Sequence, residues 1–209
     1  YMRAIQIAPL SLTVPYLGLT PLFLLLIPTL VLGESLSVTG IFGVILISIG
    51  TYTLQIDRAK HGWLEPWLAI FRNRGSLYML IVAICYAVTA TIGKLAIQHS
   101  SPLFFTIIYF SLLAVGYTPF VLIGTKGKLA PLAGAPVGFL KIGLAMALMA
   151  VTHFSAIDMI QVAYMISIKR LSLLFAILYG LFWFREQNLK ERLAGGLIII
   201  AGATCIAFA

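Results

Sequence analysis

LFFTIIYFSLLAVGYTPFVLI, residues 103–123, runs for 21 positions without an acidic or basic side chain. Crossing the hydrocarbon core of a bilayer as a helix takes about 20 such residues. Backbone in lipid must satisfy its own hydrogen bonds, so spanning segments are helices or closed barrels. A barrel would show short alternating segments, whereas this stretch is unbroken. The whole chain agrees with it: 61% of its 209 residues are apolar and only 10% are charged. Soluble domains carry roughly a quarter charged residues. So few charges cannot dress a water-facing surface, and the surface therefore faces lipid.

Working outward, further apolar runs read as spans over about Ile7–Leu32, Val38–Ile56, Leu77–Ile97, Phe139–Ile157, Gln161–Phe184 and Arg192–Ala209. The predicted fold is all-α, a polytopic transmembrane helix bundle with about seven spans. The first run contains Pro9, Pro15, Pro21 and Pro28, and Pro15 and Pro21 are placed to break it. The chain opens at Tyr1 inside a pattern, without a basic n-region and cleavage site, which reads as truncation rather than a signal peptide.

Residues 57–76 differ in character. Arg58, Lys60, Arg72 and Arg74 are interleaved with Trp63, Trp67 and Phe71. Trp63, Trp67 and Ile70 recur at helical spacing, as in an amphipathic helix at the membrane surface. Alternate loops lie on opposite sides of the membrane. One side collects Arg3, Arg58, Lys60, Arg72, Arg74, Lys126, Lys128, Lys141, Arg185, Lys190 and Arg192, and the other only Lys94. Positive charge favours the cytoplasm, which would send Ala209 outward. The net charge of +8 would suggest nucleic acid in a soluble domain; here the basic residues sit in loops beside spans, and no nucleic-acid partner is expected. Cys85 and Cys205 fall within apolar runs and read as small buried hydrophobes. No metal-ligand spacing or cofactor motif is present.

The sequence overlays itself after a shift of 152 positions. Ala4 and Ile5 fall on Ala156 and Ile157, Leu19 on Leu171, Phe23 on Phe175, Glu34 on Glu186, Gly43 on Gly195, Ile47 on Ile199 and Gly50 on Gly202. Glycines seven apart lie on nearly one helix face and let another backbone approach closely. An odd number of spans separates the copies, so they point in opposite directions through the membrane. Inverted repeats are a hallmark of secondary transporters, with the site between them near the midplane.

The run YMRAIQ at residues 1–6, then LTPLF at 19–23, Gly33-Glu34, Gly43 and Gly50 resembles the end of an EamA-like repeat of the drug/metabolite transporter superfamily. The second copy offers LSLLF at 171–175, Glu186, Gly195 and Gly202; it departs from the pattern with Arg185 where Gly33 stands. The resemblance implies ten spans in two inverted five-helix repeats, of which this chain would hold the last seven. Residues 1–56 would then end the first repeat, 57–76 form an amphipathic interfacial linker, and 77–209 make the second repeat. It implies a solute transporter, multi-pass in the cell (inner or plasma) membrane, with both termini cytoplasmic, which differs from the charge count.

Lys169 and Arg170 are the sharpest functional feature. They lie about nine residues into the sixth span, roughly 13 Å of helix. A charge near the bilayer centre costs at least about 2.5–3.5 kcal/mol on insertion scales. Either the pair faces a water-filled cavity, or it snorkels or pairs internally. All six acidic residues, Glu34, Asp57, Glu65, Asp158, Glu186 and Glu191, lie in loops or near span ends. An anionic solute is then the natural counter-ion, gripped by the Arg fork and the Lys point charge. The pseudo-equivalent positions are Leu17 and Gly18, so the cationic site belongs to one repeat. A Lys-Arg pair in this span also resembles the plastid sugar-phosphate translocators of the same superfamily, where it contacts the substrate phosphate.

Tyr164 and Ser167 lie within about two turns of the pair and could supply hydroxyls to the same cavity or to helix packing. His153 is a candidate proton relay or a hydrogen-bonded packing residue. Thr89 and Thr91 are similarly open, Lys94 reads as snorkelling at a span end, and Glu34 and Glu186 as starting the helices that follow them.

The substrate-binding set expected from the sequence is therefore Lys169, Arg170, Tyr164, Ser167 and His153. The function expected is secondary transport of small anionic or zwitterionic metabolites by alternating access. The alternatives are an exporter of drugs or amino acids without anion preference, or a non-transporting scaffold. An intramembrane enzyme would need a nucleophile with its base, or a metal site; neither pattern is found, and no enzymatic activity, cofactor or metal is expected. The expected partners are a small solute and the bilayer, with a homodimer as an assembly to test.

Overall fold

A computed structural model describes residues 2–7, 14–55, 74–124, 136–175, 179 and 189–209. Every regular element among them is helical. The helices are α1 (Met2–Ile7), α2 (Thr20–Leu32), α3 (Val38–Gln55), α4 (Arg74–Gln98), α5 (Pro102–Gly124), α6 (Pro136–Met159), α7 (Val162–Lys169) and α8 (Leu189–Ala207), with a 3-10 segment over Val14–Leu19. The amphipathic reading of 57–76 falls almost wholly outside the described residues.

The protein is an all-α membrane helix bundle. Three helices, α4, α5 and α6, are long and apolar enough to cross a membrane, and shorter apolar helices cover Tyr16–Leu32, Val38–Leu54 and Ala194–Ala207. Many large apolar side chains face outward, among them Leu112, Val115 and Phe120 on α5 and Leu140 and Leu148 on α6. Apolar side chains exposed in this way suit lipid and not water.

Two compact units arise. The first comprises Tyr1–Ile92 with Gln161–Ala209, the second Gly93–Ile160. The first holds both copies of the internal repeat's Gly-bearing helices, α3 and α8. Gly43 faces Gly202 and Gly50 faces Gly195, so the helices run antiparallel. A Cβ at Gly43 would stand 2.6 Å from the Gly202 carbonyl oxygen, and one at Gly202 would stand 2.6 Å from the Gly43 oxygen. The contact is self-complementary: the first glycine of each copy meets the second of the other, as a two-fold axis requires. Ile47 and Ile199, equivalent under the repeat, are both fully buried. Nearby, Tyr16, Leu19 and Met79 form a buried cluster backed by Leu17, Leu22, Phe23, Leu80 and Val82.

The first and sixth predicted spans are not continuous α-helices. The first passes through the 3-10 segment Val14–Leu19 before α2 begins, with Pro21 in its first turn. The sixth is interrupted after Lys169 and is α-helical again over 172–175; around the break the N–H groups of Arg170, Leu171, Leu173 and Leu174 bond three residues back, to Ser167, Ile168, Arg170 and Leu171. Under the 152-residue shift these two tightened stretches coincide.

In the second unit, Phe105 meets Phe154 edge-on at 4.9 Å and Tyr109 lies 5.9 Å from the same ring. Lys94 is buried, and its Nζ donates to the carbonyl of Ile160 at 2.7 Å, just past the end of α6. The side chain therefore does not snorkel. It meets the electronegative end of a helix whose last carbonyls lack partners within the helix.

Candidate functional site

The two tightened stretches meet at one hydrogen bond. Arg170 Nη2 donates to the Leu17 carbonyl at 2.8 Å. In an α-helix that carbonyl would accept from residue 21, but Pro21 has no N–H and its ring crowds the carbonyl four residues back. In the 3-10 segment the chain's own bonds run three residues on instead, and Arg170 brings a further donor to the same oxygen from the other repeat. Leu17 is the repeat equivalent of Lys169, and Gly18 that of Arg170, so like positions face each other across the pseudo-two-fold axis.

Around this crossing the polar groups are sparse and buried. Ser167 is fully buried and Thr20 nearly so. The Ser167 hydroxyl, the Thr20 hydroxyl and Arg170 Nε have no hydrogen-bond partner among the described residues. Arg170 is half-buried and Lys169 exposed. A guanidinium offers five N–H donors, and the bond to Leu17 occupies one. Donors left open in an apolar surround are costly, which makes the crossing receptive to an acceptor-rich group.

Of the predicted residues, Lys169, Arg170 and Ser167 come together at the helix break. Tyr164 lies at the opposite end of α7. Its hydroxyl accepts from the Ser37 N–H at 2.9 Å and lies 3.3 Å from the Ser37 hydroxyl. His153 belongs to the second unit, half-buried on α6 with its ring 5.2 Å from that of Phe154. Thr89 and Thr91 bond the carbonyls of Cys85 and Ala87 one turn back in their own helix, as membrane-helix Thr commonly does. The Glu34 carboxylate accepts from the N–H of Val162 at 3.0 Å and caps α7, while in the first turn of α3 the Ser37 hydroxyl accepts from the Gly40 N–H at 3.0 Å; the equivalent Glu186 lies outside the described residues. Thr20 escaped the sequence reading, since a lone Thr in an apolar run carries no signal; its place directly before Pro21 and three residues after Leu17 was the available clue.

The model of the EamA-like transporter family matches residues 73–208. No curated protein and no solved structure matches the chain.

Proposed function

Given that the chain belongs to the EamA-like transporter family, we propose that it carries small anionic or zwitterionic metabolites across the cell (inner or plasma) membrane by alternating access. Membership makes it a membrane transporter of small solutes; the anion preference rests on one observation. Two adjacent cations stand at the break of α7, at the crossing of the inverted repeats, and Arg170 is anchored on a carbonyl oxygen rather than on a carboxylate. A carbonyl satisfies one donor without cancelling the charge. Among the described residues no carboxylate is paired with either cation, which favours an anion at the crossing, with Arg170 as bidentate donor and Lys169 as point charge. Ser167 and Thr20 add hydroxyl donors. Solute passage follows when the repeats rock about the site.

The experiment is counterflow in proteoliposomes with a panel of organic phosphates, carboxylates and amino acids. The double variant Lys169→Leu, Arg170→Leu should insert normally and lose uptake of the anions by at least about a hundred-fold, as expected when a bidentate charge-assisted contact worth roughly 3 kcal/mol is removed. Anion uptake equal to that of the unmodified chain would overturn the assignment.

A further inference from the structure

α7 is short for a helix in a membrane protein, eight residues from Val162 to Lys169. Its first N–H groups have no partner within the helix, and Gln161 at the capping position makes no side-chain cap. The cap arrives from the other repeat. Glu34 Oε2 and Oε1 accept from the Val162 N–H at 3.0 and 3.3 Å, and a carboxylate there also meets the positive end of the helix dipole. Two further bonds tie the same loop to the same turn: Gln161 Nε2 donates to the Ser35 carbonyl at 3.4 Å, and the Ser37 N–H donates to the Tyr164 hydroxyl at 2.9 Å. Tyr164 lies so close over Gly40 that a Cβ there would overlap its ring. The other end of α7 is held by Arg170 on the Leu17 carbonyl. The short helix is thus braced at both ends by the first repeat.

We propose that Glu34 is a positioning residue for solute binding, fixing the N-terminus of α7 so that its far end presents Lys169 and Arg170 at the crossing. This rests on the anion-site reading above. The two braces have different fates. The Leu17 carbonyl is a placeholder that an anionic solute replaces on Arg170. The Glu34 cap has no competitor of that kind and holds while the solute binds. A helix eight residues long behaves as a rigid lever, so freeing its N-terminus displaces the cation pair. Under the repeat, Tyr164 and Gln161 correspond to Leu12 and Pro9, neither of which has a polar side chain. The Tyr and Gln bonds therefore have no sequence counterpart in the other copy.

The test uses the full chain in liposomes and pyridoxal 5′-phosphate, an anionic aldehyde that condenses with an amine and is fixed by borohydride. Labelling of Lys169, counted by peptide mass spectrometry, should saturate with concentration. Glu34→Ala should raise the half-saturating concentration about ten-fold, the usual order for a reactive group displaced by a fraction of an ångström. Glu34→Gln keeps an acceptor of the same length and should raise it only about three-fold, the share owed to charge at the helix end. Arg170→Leu, run in parallel, should abolish saturation. If the unmodified chain shows no saturable labelling, or Arg170→Leu matches it, the anion site itself is wrong and the Glu34 role goes with it. If labelling saturates, Arg170→Leu abolishes it and Glu34→Ala matches the unmodified chain, the Glu34 proposal alone is overturned. Should Glu34→Ala fail to insert, Glu34→Gln decides: an unchanged half-saturation overturns the proposal and a rise of about three-fold supports it.

Discussion

Lys94 stands four residues before the end of α4, buried, with its ammonium 2.7 Å from the Ile160 carbonyl. Removing the donor takes a charge-assisted bond from the carbonyl at the end of α6 and leaves a buried position without its ammonium. Lys94→Met should therefore cost about 1–3 kcal/mol, read as a lower midpoint of unfolding in detergent. Lys141→Met, at an exposed position of the same unit, should stay within about 0.5 kcal/mol. Equal effects of the two would show that the buried bond contributes nothing. The depth of Lys94 in its span can be counted along the chain, hence the snorkelling reading, but not which helix end folds back to meet it. The same limit applies at the crossing. Pro21 and Arg170 each stand out along the chain, one as a breaker and the other as a misplaced charge. What joins them is the Leu17 carbonyl, to which Pro21 can offer no N–H, and a backbone oxygen has no letter in the sequence.

At the scale of elements, the pairing of α3 with α8 was largely legible. Glycines seven apart on each copy announce a flat strip on both helices, and the inverted order of the copies makes them antiparallel. Each strip turned out to face the other. The crossing is tight enough to rank substitutions. An added Cβ at Gly43 or Gly202 meets backbone at 2.6 Å, which cannot move aside, whereas at Gly195 it meets chiefly the Leu54 side chain. Gly43→Ala and Gly202→Ala should each destabilise by about 1–3 kcal/mol, and Gly195→Ala by less. Gly116→Ala and Gly143→Ala enter open space and should be neutral or stabilising by up to about 1 kcal/mol, since Ala is the better helix former. Thermal unfolding in one detergent orders the five variants, and tolerance of Ala at both Gly43 and Gly202 would mean the helices do not cross there. The helix breaks were less legible. Pro15 and Pro21 flag the first, but the second, at Lys169–Leu171, contains no proline or glycine; its position is visible only once the copies are overlaid.

For the whole molecule, the inverted repeat implies a cycle that the static structure holds at one point. Ser167 sits at the crossing, fully buried, with its hydroxyl unpartnered among the described residues. No aqueous reagent should reach it in this arrangement. If the repeats rock about the crossing, the same residue must face each side of the membrane in turn. The native cysteines Cys85 and Cys205 are first replaced by Ala, and Ser167→Cys is then introduced. A membrane-impermeant sulfonate thiol reagent should label it from either face of sealed vesicles, slowly, since the reactive state is a minor one. A saturating organic anion that occupies the Lys169–Arg170 pair should protect it from both faces, because one site serves both openings. A pocket that opens to one face would be labelled from that face alone, and a scaffold without a vestibule from neither. Labelling from both faces without protection would place Ser167 on a water path that the anion does not share, separating the cation pair from the route of transport.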